Sequence, residues 1–361
     1  MKNLPLNTLL LIAMLAALPV GVDAQAVTVS NPSSVEATIP KGLLMRQVAD
    51  DMRARARLPK SSQPVPLGMS DPVLAKHSTA RKSLTLQKSE AQFSVWSSTN
   101  RAQAGQTVDF FAEIEVPSLS NAAMTDVIRA NGERAGAKYY AEVVTNAGTV
   151  LGKFLYSDDG RGADAKANDG IFSARWQLPV QHKPALGKST SLTVKTTAVL
   201  ANDELREAFD GIQYSHPGAA LTGRFRDLVR DGNLVVQAEV NIVKPGRYFL
   251  EGALAYPGGE SISTAQVAKS FSSAGNYWMD LSYYGLIFHD RRASGRLQLA
   301  SVTLTDVNEL ESILGPVLTN VHLTQALNKA KLTRQSFNDP EMLEKASRIE
   351  ASLAKRQHST E

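Results

Sequence analysis

The clearest pattern in this sequence is an alternation of apolar and polar positions, which recurs in two blocks of the chain. The apolar face of its first instance consists of Val108, Phe110, Ala112, Ile114 and Val116. Further instances span residues 172–178, 192–200, 234–242 and 248–256. Alternate side chains of a β-strand point to the same side, so a period of two indicates strands with one buried face. The pattern therefore predicts a mainly β protein.

Turn residues separate the predicted strands, and no helical pattern lies between the strands of either block. The plainest turns are Lys244-Pro245-Gly246 and Pro257-Gly258-Gly259, where proline fixes φ and glycine permits positive φ. Strands with one polar face belong to antiparallel sheets, and two such sheets bury their apolar faces against each other. We therefore predict two tandem antiparallel immunoglobulin-like β-sandwiches, over residues 91–218 and 219–337.

Both ends of the chain lack this alternation. Residues 25–90 are rich in Ser, Pro, Ala and Lys and contain one predicted short basic helix, around residues 42–58. At the other end, Asp339 is a suitable N-cap and Pro340 a suitable first residue for a helix within 338–361. We predict a partly helical N-terminal extension and a C-terminal helix. Two interpretations of the basic helix stay open, because it could pack on a sandwich or meet anionic lipid or a partner.

The first 24 residues have the three parts of a secretory signal peptide. Lys2 supplies a positive charge, residues 9–18 are apolar, and Val22-Asp23-Ala24 places small residues at a cleavage position. The apolar run is shorter than the roughly 20 residues that cross a bilayer as a helix. We therefore expect residues 1–24 to be removed and the mature protein, without a transmembrane segment, to be periplasmic or secreted.

Composition excludes several kinds of chemistry. The chain has 361 residues, no cysteine, and 39 Lys and Arg residues against 35 Asp and Glu residues. The lack of cysteine excludes a disulfide framework, thiolate metal ligands and a cysteine nucleophile. The small positive charge is spread over many residues and gives no reason to expect nucleic acid as a partner. Because disulfides are excluded, burial or a bound ion must stabilise the domains.

One loop carries candidate metal chemistry. It runs from residue 157 to 170, between predicted strands, and is longer than the two to five residues usual in a hairpin. Its oxygen-bearing candidates are Asp158, Asp159, Asp164, Asn168 and Asp169. Calcium binds six to eight oxygen ligands, which carboxylates and carbonyls of a tight loop supply. From the residues alone, the loop is either a calcium site or a solvated turn whose carboxylates are partly neutralised by Arg161 and Lys166.

The same loop carries a resemblance to a known family. Asp-Asp-Gly-x-x-x-Asp-x-x-x-x-Asp-Gly-Ile-Phe, at residues 158–172, resembles an acidic loop in immunoglobulin-like domains of secreted bacterial proteins of the choice-of-anchor X kind. The second block, with Asp231-Gly232-Asn233 and Pro245-Gly246-Arg247-Tyr248, is similar to the last domain of an uncharacterised family of exported proteobacterial proteins with tandem immunoglobulin-like domains. The resemblance implies bound Ca²⁺. Its principal ligands would be Asp158, Asp164 and Asp169, and Asp159 and Asn168 would be secondary.

Catalytic motifs are missing from the sequence. It contains no H-E-x-x-H, no G-x-S-x-G and no phosphate-binding glycine loop, and only His289-Asp290 could orient an imidazole. We expect a non-enzymatic protein that acts in binding or adhesion at the cell envelope, with a protein or an envelope glycan as its ligand. The alternatives are a secreted hydrolase with a site assembled from sandwich loops, around His289 or around the ion of the acidic loop, and a spacer whose basic helical ends bind.

Overall fold

The computed structural model describes residues 28–29, 37–38, 41–77, 79–85, 92–115, 138–199, 205–308 and 312–358. The predicted signal peptide, residues 1–24, lies outside these described residues. The described chain is mainly β, with several antiparallel sheets and a helix near each end, which confirms the predicted fold class. None of the described helices is both long enough and apolar enough to cross a membrane.

The strands and helices are numbered in chain order. The first twelve strands are β1 Thr28–Val29, β2 Ala37–Thr38, β3 Ser62–Pro64, β4 Lys82–Thr85, β5 Gln92–Ser97, β6 Arg101–Gln103, β7 Thr107–Glu115, β8 Lys138–Thr145, β9 Val150–Leu155, β10 Phe172–Gln177, β11 Lys188–Val199 and β12 Leu205–His216. The other eight are β13 Ala219–Arg230, β14 Asn233–Ile242, β15 Gly246–Ala255, β16 Ser261–Phe271, β17 Gly275–Tyr283, β18 Gln298–Asp306, β19 Ile313–Leu314 and β20 Leu318–Leu323. The helices are α1 Lys41–Ala56, α2 Pro72–Ala75, α3 Gly285–Asp290 and α4 Pro340–His358.

The first sandwich pairs a four-stranded sheet with a five-stranded sheet. The strand orders are β10-β7-β5-β4 and β6-β12-β11-β8-β9. The described pairs in these sheets are antiparallel except for β6 and β12, which run parallel. Both sheets contribute to one core, whose large members include Phe93, Phe110, Tyr139, Leu192, Ile212 and Tyr214. The predicted apolar face of β7 is buried in this core at Val108, Phe110 and Ala112.

The second sandwich pairs a three-stranded sheet with a six-stranded sheet. The strand orders are β13-β14-β17 and β19-β18-β15-β16-β3, and β20 also pairs with β18. The apolar set predicted for β14 is fully buried, and Leu250, Leu281 and Tyr283 pack in the same core. Gln237 and Glu239, on the outer face of β14, are buried as well, because Arg226 and Arg224 of β13 reach across and hydrogen-bond to them. Side chains of β13 thus cover part of the polar outer face of β14.

The N-terminal segment attaches to both sandwiches. Strand β3 pairs with β16 of the second sandwich, and β4 pairs with β5 of the first. Helix α1 packs against α4 of the opposite end of the chain. Arg53 of α1 donates two hydrogen bonds to Glu350 of α4, at 2.8 and 2.5 Å. The described part of residues 41–85 therefore contributes two helices and two sheet strands, whereas the sequence predicts one helix in this part of the chain.

Exposed ion pairs form within the helix pair and around it. Hydrogen bonds from Lys345 and Lys60 lower the pKa of the Glu341 carboxyl to about 2. Arg55 pairs with Asp51 at 2.9 Å, and Arg57 pairs with Asp290 at 3.3 Å. The arginines that make the predicted helix basic are thus largely neutralised within the molecule.

The two sandwiches join at a tightly packed glycine. The backbone N–H of Gly218 donates to Asp306 Oδ2 at 3.0 Å, and the Gly218 carbonyl accepts from the N–H groups of Val243 and Lys244 at 2.9 Å. The Tyr248 hydroxyl donates to the Lys244 carbonyl at 2.6 Å. Burial of this hydroxyl raises the pKa of Tyr248 to about 12. A Cβ on Gly218 would lie 2.5 Å from the Tyr248 hydroxyl oxygen, so no larger residue fits.

We predict that Gly218→Ala lowers the free energy of unfolding by about 1–3 kcal/mol, because the added methyl group forces the surrounding side chains apart. Urea denaturation of the purified protein measures this loss. Gly211→Ala is the matched control, since the nearest atom to its new Cβ is 3.9 Å away. Equal unfolding midpoints for Gly218→Ala and wild type would contradict the packing described for the junction.

Candidate metal centre

The acidic loop, residues 157–170, crosses from one sheet of the first sandwich to the other. It leaves β9, the edge strand of the five-stranded sheet, and enters β10, the edge strand of the four-stranded sheet. Its two ends are joined by backbone hydrogen bonds between Ser157 and Ser173, at 2.9 and 2.8 Å. The loop therefore closes one edge of the sandwich.

Aromatic rings pack beneath both ends of the loop. Phe154 lies 5.6 Å from Tyr156 and 5.9 Å from Trp176 between ring centroids. On the other side, Phe172 lies 4.3 Å from Tyr139. Burial raises the pKa of Tyr156, whose hydroxyl hydrogen-bonds to Thr196 at 2.9 Å. These contacts give the loop a rigid base.

The loop's own backbone N–H groups orient its carboxylates. Asp158 accepts from the N–H of Asp169 at 3.2 Å and from that of Gly170 at 2.9 Å. Asp164 accepts from the N–H of Gly160 at 2.6 Å and from that of Lys166 at 3.0 Å. Such bonds from side chain to backbone fix both the turn and the direction of each carboxylate. The carboxylates are thereby held in the loop instead of extending into solvent.

Three carboxylates converge. One oxygen from each of Asp158, Asp164 and Asp169 lies within 4.8 Å of the other two, and Asp164 is only 9% exposed. Two ligand oxygens on opposite sides of a calcium ion, each about 2.3–2.6 Å from it, are about 5 Å apart, so this spacing suits one shared ion. Without a cation, each pair of charges at this distance repels by roughly 1–3 kcal/mol. A divalent cation would turn that repulsion into attraction.

The other two predicted ligands are both exposed. Asp159 is exposed, and its carboxylate accepts from the Arg161 N–H at 3.0 Å. Asn168 is exposed too, has a φ of 59°, and donates its N–H to the Asp158 carbonyl at 3.4 Å. The structure thus brings three of the five predicted residues together and places Asp159 and Asn168 at the loop surface.

Arg161 and Lys166 do not neutralise the cluster. Both side chains are exposed, and within the described part of the chain neither forms an ion pair with a loop carboxylate. Their backbone N–H groups, not their charged ends, contact Asp159 and Asp164. The described geometry therefore differs from the solvated turn in which these two cations pair with the acids.

Sequence reasoning named one histidine pair and missed another. His289 Nε2 lies 3.3 Å from the Leu332 carbonyl, and the neighbouring Asp290 pairs with Arg57. The pair that does form is His322 with Asp227, at 2.8 Å between Nε2 and Oδ1, and 95 residues separate these two in sequence. Among the described residues no hydroxyl hydrogen-bonds to the ring of His322.

We predict that Gly160→Ala destabilises the loop more than Gly162→Ala. Both glycines have positive φ, 71° and 67°, so in either variant the alanine must adopt a left-handed backbone conformation, which costs about 1–2 kcal/mol. Only the Cβ at Gly160 meets an atom, the Ala167 nitrogen at 3.0 Å, whereas the Cβ at Gly162 meets none within 4 Å. Urea unfolding in chelator compares the two variants, and equal losses would contradict this loop geometry.

Comparisons with known proteins give no assignment by sequence, since no family model and no curated protein matches the chain. Among solved structures, the chain is similar to a DUF4785 family protein from Legionella pneumophila, with 16% identity over 68% of this chain and 59% of that chain, at a TM-score of 0.42. It is also similar to the tetra-tandem repeat in the extending region of a large adhesion protein, with 12% identity over 65% and 48% of the two chains, at a TM-score of 0.23. The match to the BSP domain of a biofilm associated protein has 10% identity, coverages of 63% and 27%, and a TM-score of 0.18. The chain therefore spans 59% of the Legionella protein's length, and these similarities are low.

Proposed function

We propose that this protein is exported and non-enzymatic, and that it acts in binding or adhesion at the cell envelope through immunoglobulin-like sandwiches, the first of which is stabilised by Ca²⁺. The observation that carries the calcium site is the convergence of Asp158, Asp164 and Asp169 oxygens within 4.8 Å. The protein would work in the periplasm or outside the cell, with a protein or an envelope glycan as its partner.

Calcium fits the donor set better than other common ions. Every side chain in the cluster offers carboxylate oxygen, and the chain has no cysteine to favour a softer metal. Calcium accepts six to eight oxygens in irregular arrangements, whereas Mg²⁺ demands a near-ideal octahedron and keeps its waters. Carbonyl groups of the tight loop and water would complete the shell around an ion held by the three aspartates.

The loop's position explains what the ion would do. Asp158 follows β9 of one sheet, Asp169 precedes β10 of the other, and Asp164 comes from the middle of the loop. An ion bound by all three would therefore connect the two sheets at the edge that the described backbone bridges between Ser157 and Ser173. Calcium that binds only the folded state stabilises it in proportion to RT ln(1 + [L]/Kd).

The outer face of the three-stranded sheet supports a binding role. Arg226 lies 4.2 Å from the ring centroid of Trp278, and Gln237 donates to Asp280 at 2.6 Å. Arg224 pairs with Glu239 on the same face. Long polar side chains and an indole ring therefore lie together on this face, and aromatic side chains with polar neighbours are common where partners bind.

We predict that Ca²⁺ raises the melting temperature of the mature protein. At a calcium concentration 100 times Kd, the free energy of unfolding increases by about 2.7 kcal/mol, because the ion binds only the assembled loop. Differential scanning calorimetry in calcium and in chelator measures the shift. A melting temperature independent of calcium would refute the metal site.

Substitutions in the loop test whether the calcium-dependent shift in melting temperature comes from the three converging aspartates. We expect the double variant Asp164→Asn with Asp169→Asn to show no calcium-dependent shift, since two of the three converging charges are gone. Asp159→Asn is the matched control, because this exposed residue of the same loop lies outside the cluster, and it should keep most of the shift. A shift that persists in the double variant would place the calcium elsewhere.

The binding role has its own test. We expect the mature protein to retain a defined envelope protein or glycan in a pull-down from whole envelopes, and chelator or the double variant to reduce the amount retained.

A screen for esterase, glycosidase and peptidase activity, with His289→Ala as its control, tests the hydrolase alternative. Activity that His289→Ala abolishes would overturn the non-enzymatic assignment.

A further inference from the structure

Large apolar side chains are exposed on the outer face of the five-stranded sheet in the first sandwich. Alternate residues of its strands are buried in the core, so the residues between them point outwards. The outward apolar side chains that are at least 45% exposed are Val150 and Leu155 on β9, and Leu205 and Phe209 on β12. Tyr140, Val144 and Val199, which are half-buried, lie between them on β8 and β11. An apolar patch of this kind on a sheet face marks an interaction site.

Charged side chains of alternating sign lie among these apolar groups. Directly opposite positions of β9, β8 and β11 hold Lys153, Glu142 and Lys195. On β12, Glu207 lies two residues from Phe209, which is opposite Lys195. Lys153 pairs with Glu142, and Lys195 pairs with Glu207 at 2.6 Å. The face therefore carries two positive and two negative charges in these pairs, and they give no net repulsion between two such faces.

The outward side chains form a grid that a two-fold axis maps onto itself. Neighbouring strands are about 4.8 Å apart, and outward residues follow one another along a strand at about 6.8 Å. The centre of the grid lies between the paired positions of β8 and β11, which are Tyr140 with Thr197 and Glu142 with Lys195. An axis perpendicular to the sheet at this centre exchanges β8 with β11 and β9 with β12. Two copies related by this axis would face each other with their strands aligned, as packed sheets do to within about 30°.

Under this axis, apolar positions meet apolar positions and opposite charges meet. The contacts that the strand registers give across the two copies are Leu155 with Phe209, Val150 with Leu205, and Lys153 with Glu207. Each contact occurs twice, because the axis is two-fold. The exposed groups of this face therefore fit the same face of a second copy.

The size of the face sets the strength of such a contact. Four strands and four rows of outward side chains span roughly 20 by 25 Å. Two such faces would bury on the order of 1,000 Å² in total, which is at the lower end of specific interfaces. Because association must also overcome the lost freedom of the two molecules, we expect a dimer that dissociates in the micromolar range.

We propose that the outer face of the five-stranded sheet is a self-association surface, through which two copies of this protein form a two-fold symmetric dimer. Burial of Leu155 and Phe209 against each other would supply affinity. The pairing of Lys153 with Glu207 of the second copy would fix the register, because a shifted register leaves like charges opposed. The dimer uses none of the carboxylates that converge in the acidic loop, so we expect it to form both in calcium and in chelator.

Sedimentation velocity of the whole mature protein, from low micromolar to millimolar concentration, tests self-association. We expect the sedimentation coefficient to rise from that of a monomer to that of a dimer and then to stay constant, because a two-fold contact closes on itself. A protein that stays monomeric over the whole range would overturn the proposal. Growth beyond the dimer through this face would contradict the two-fold geometry.

A substitution at the most exposed apolar side chain assigns the surface. Leu155 is 73% exposed, so Leu155→Arg removes little packing from the monomer but places a charge in the proposed contact. We expect it to raise the dimer dissociation constant by about tenfold or more. Leu67→Arg is the matched control, because Leu67 is 75% exposed and lies outside this face, next to β3. Equal dissociation constants for the two variants would overturn the assignment of the surface.

Charge reversal tests the register. Lys153→Glu opposes two negative charges across the copies, and Glu207→Lys opposes two positive ones. We expect each variant alone to dimerise more weakly than wild type, and an equimolar mixture to recover the dimer, because opposite charges then meet at both contacts. Asp109→Lys, on the outer face of the other sheet, is the control and should dimerise as wild type does. Thermal unfolding shows that each variant is folded, and a mixture no stronger than its components would overturn the two-fold register.

Discussion

Each of the four larger sheets has an apolar face, and that face is stable only when another sheet covers it. This constraint arranges strands β3 to β20 as two pairs of sheets around two separate cores. The chain must therefore cross repeatedly between sheets, and each crossing exposes backbone that no strand pairs. The converging carboxylates lie at one such crossing, the loop 157–170, which connects the two sheets of the first sandwich at an edge.

The acidic loop gathers negative charge at one edge of the first sandwich. Asp158, Asp164 and Asp169 converge there and their charges repel, so a cation would relieve this repulsion. The chain has no cysteine and therefore no disulfides, and a bound ion can serve as a cross-link instead. Calcium would connect the two sheets of this sandwich at that edge.

Much of this architecture could be predicted from the sequence, because burial imposes a local period. The alternation in β7 and β14 identified their core faces, and the resemblance of the loop to a known acidic loop singled out the three aspartates that converge. Asp159 was less predictable. It adjoins Asp158 in the chain, but its carboxylate turns to the Arg161 N–H at the loop surface. Sequence proximity of two acids does not say which way each one points.

The features that escaped prediction depend on contacts between distant parts of the chain. Strands β3 and β4 are three and four residues long and show no alternation, so only their partners in the sheets define them. His322 and Asp227 meet because β20 and β13 lie close together, 95 residues apart in sequence. Arg53 and Glu350 join helices from opposite ends of the chain. No local pattern carries such information.

The most direct test is a crystal structure of the mature protein grown in calcium chloride, with anomalous differences measured to locate the ion. The account predicts one anomalous peak among Asp158, Asp164 and Asp169, with oxygens about 2.3–2.6 Å from it. It also predicts that Asp159 stays outside the coordination shell. Aspartates that point apart in saturating calcium, with no peak between them, would contradict it.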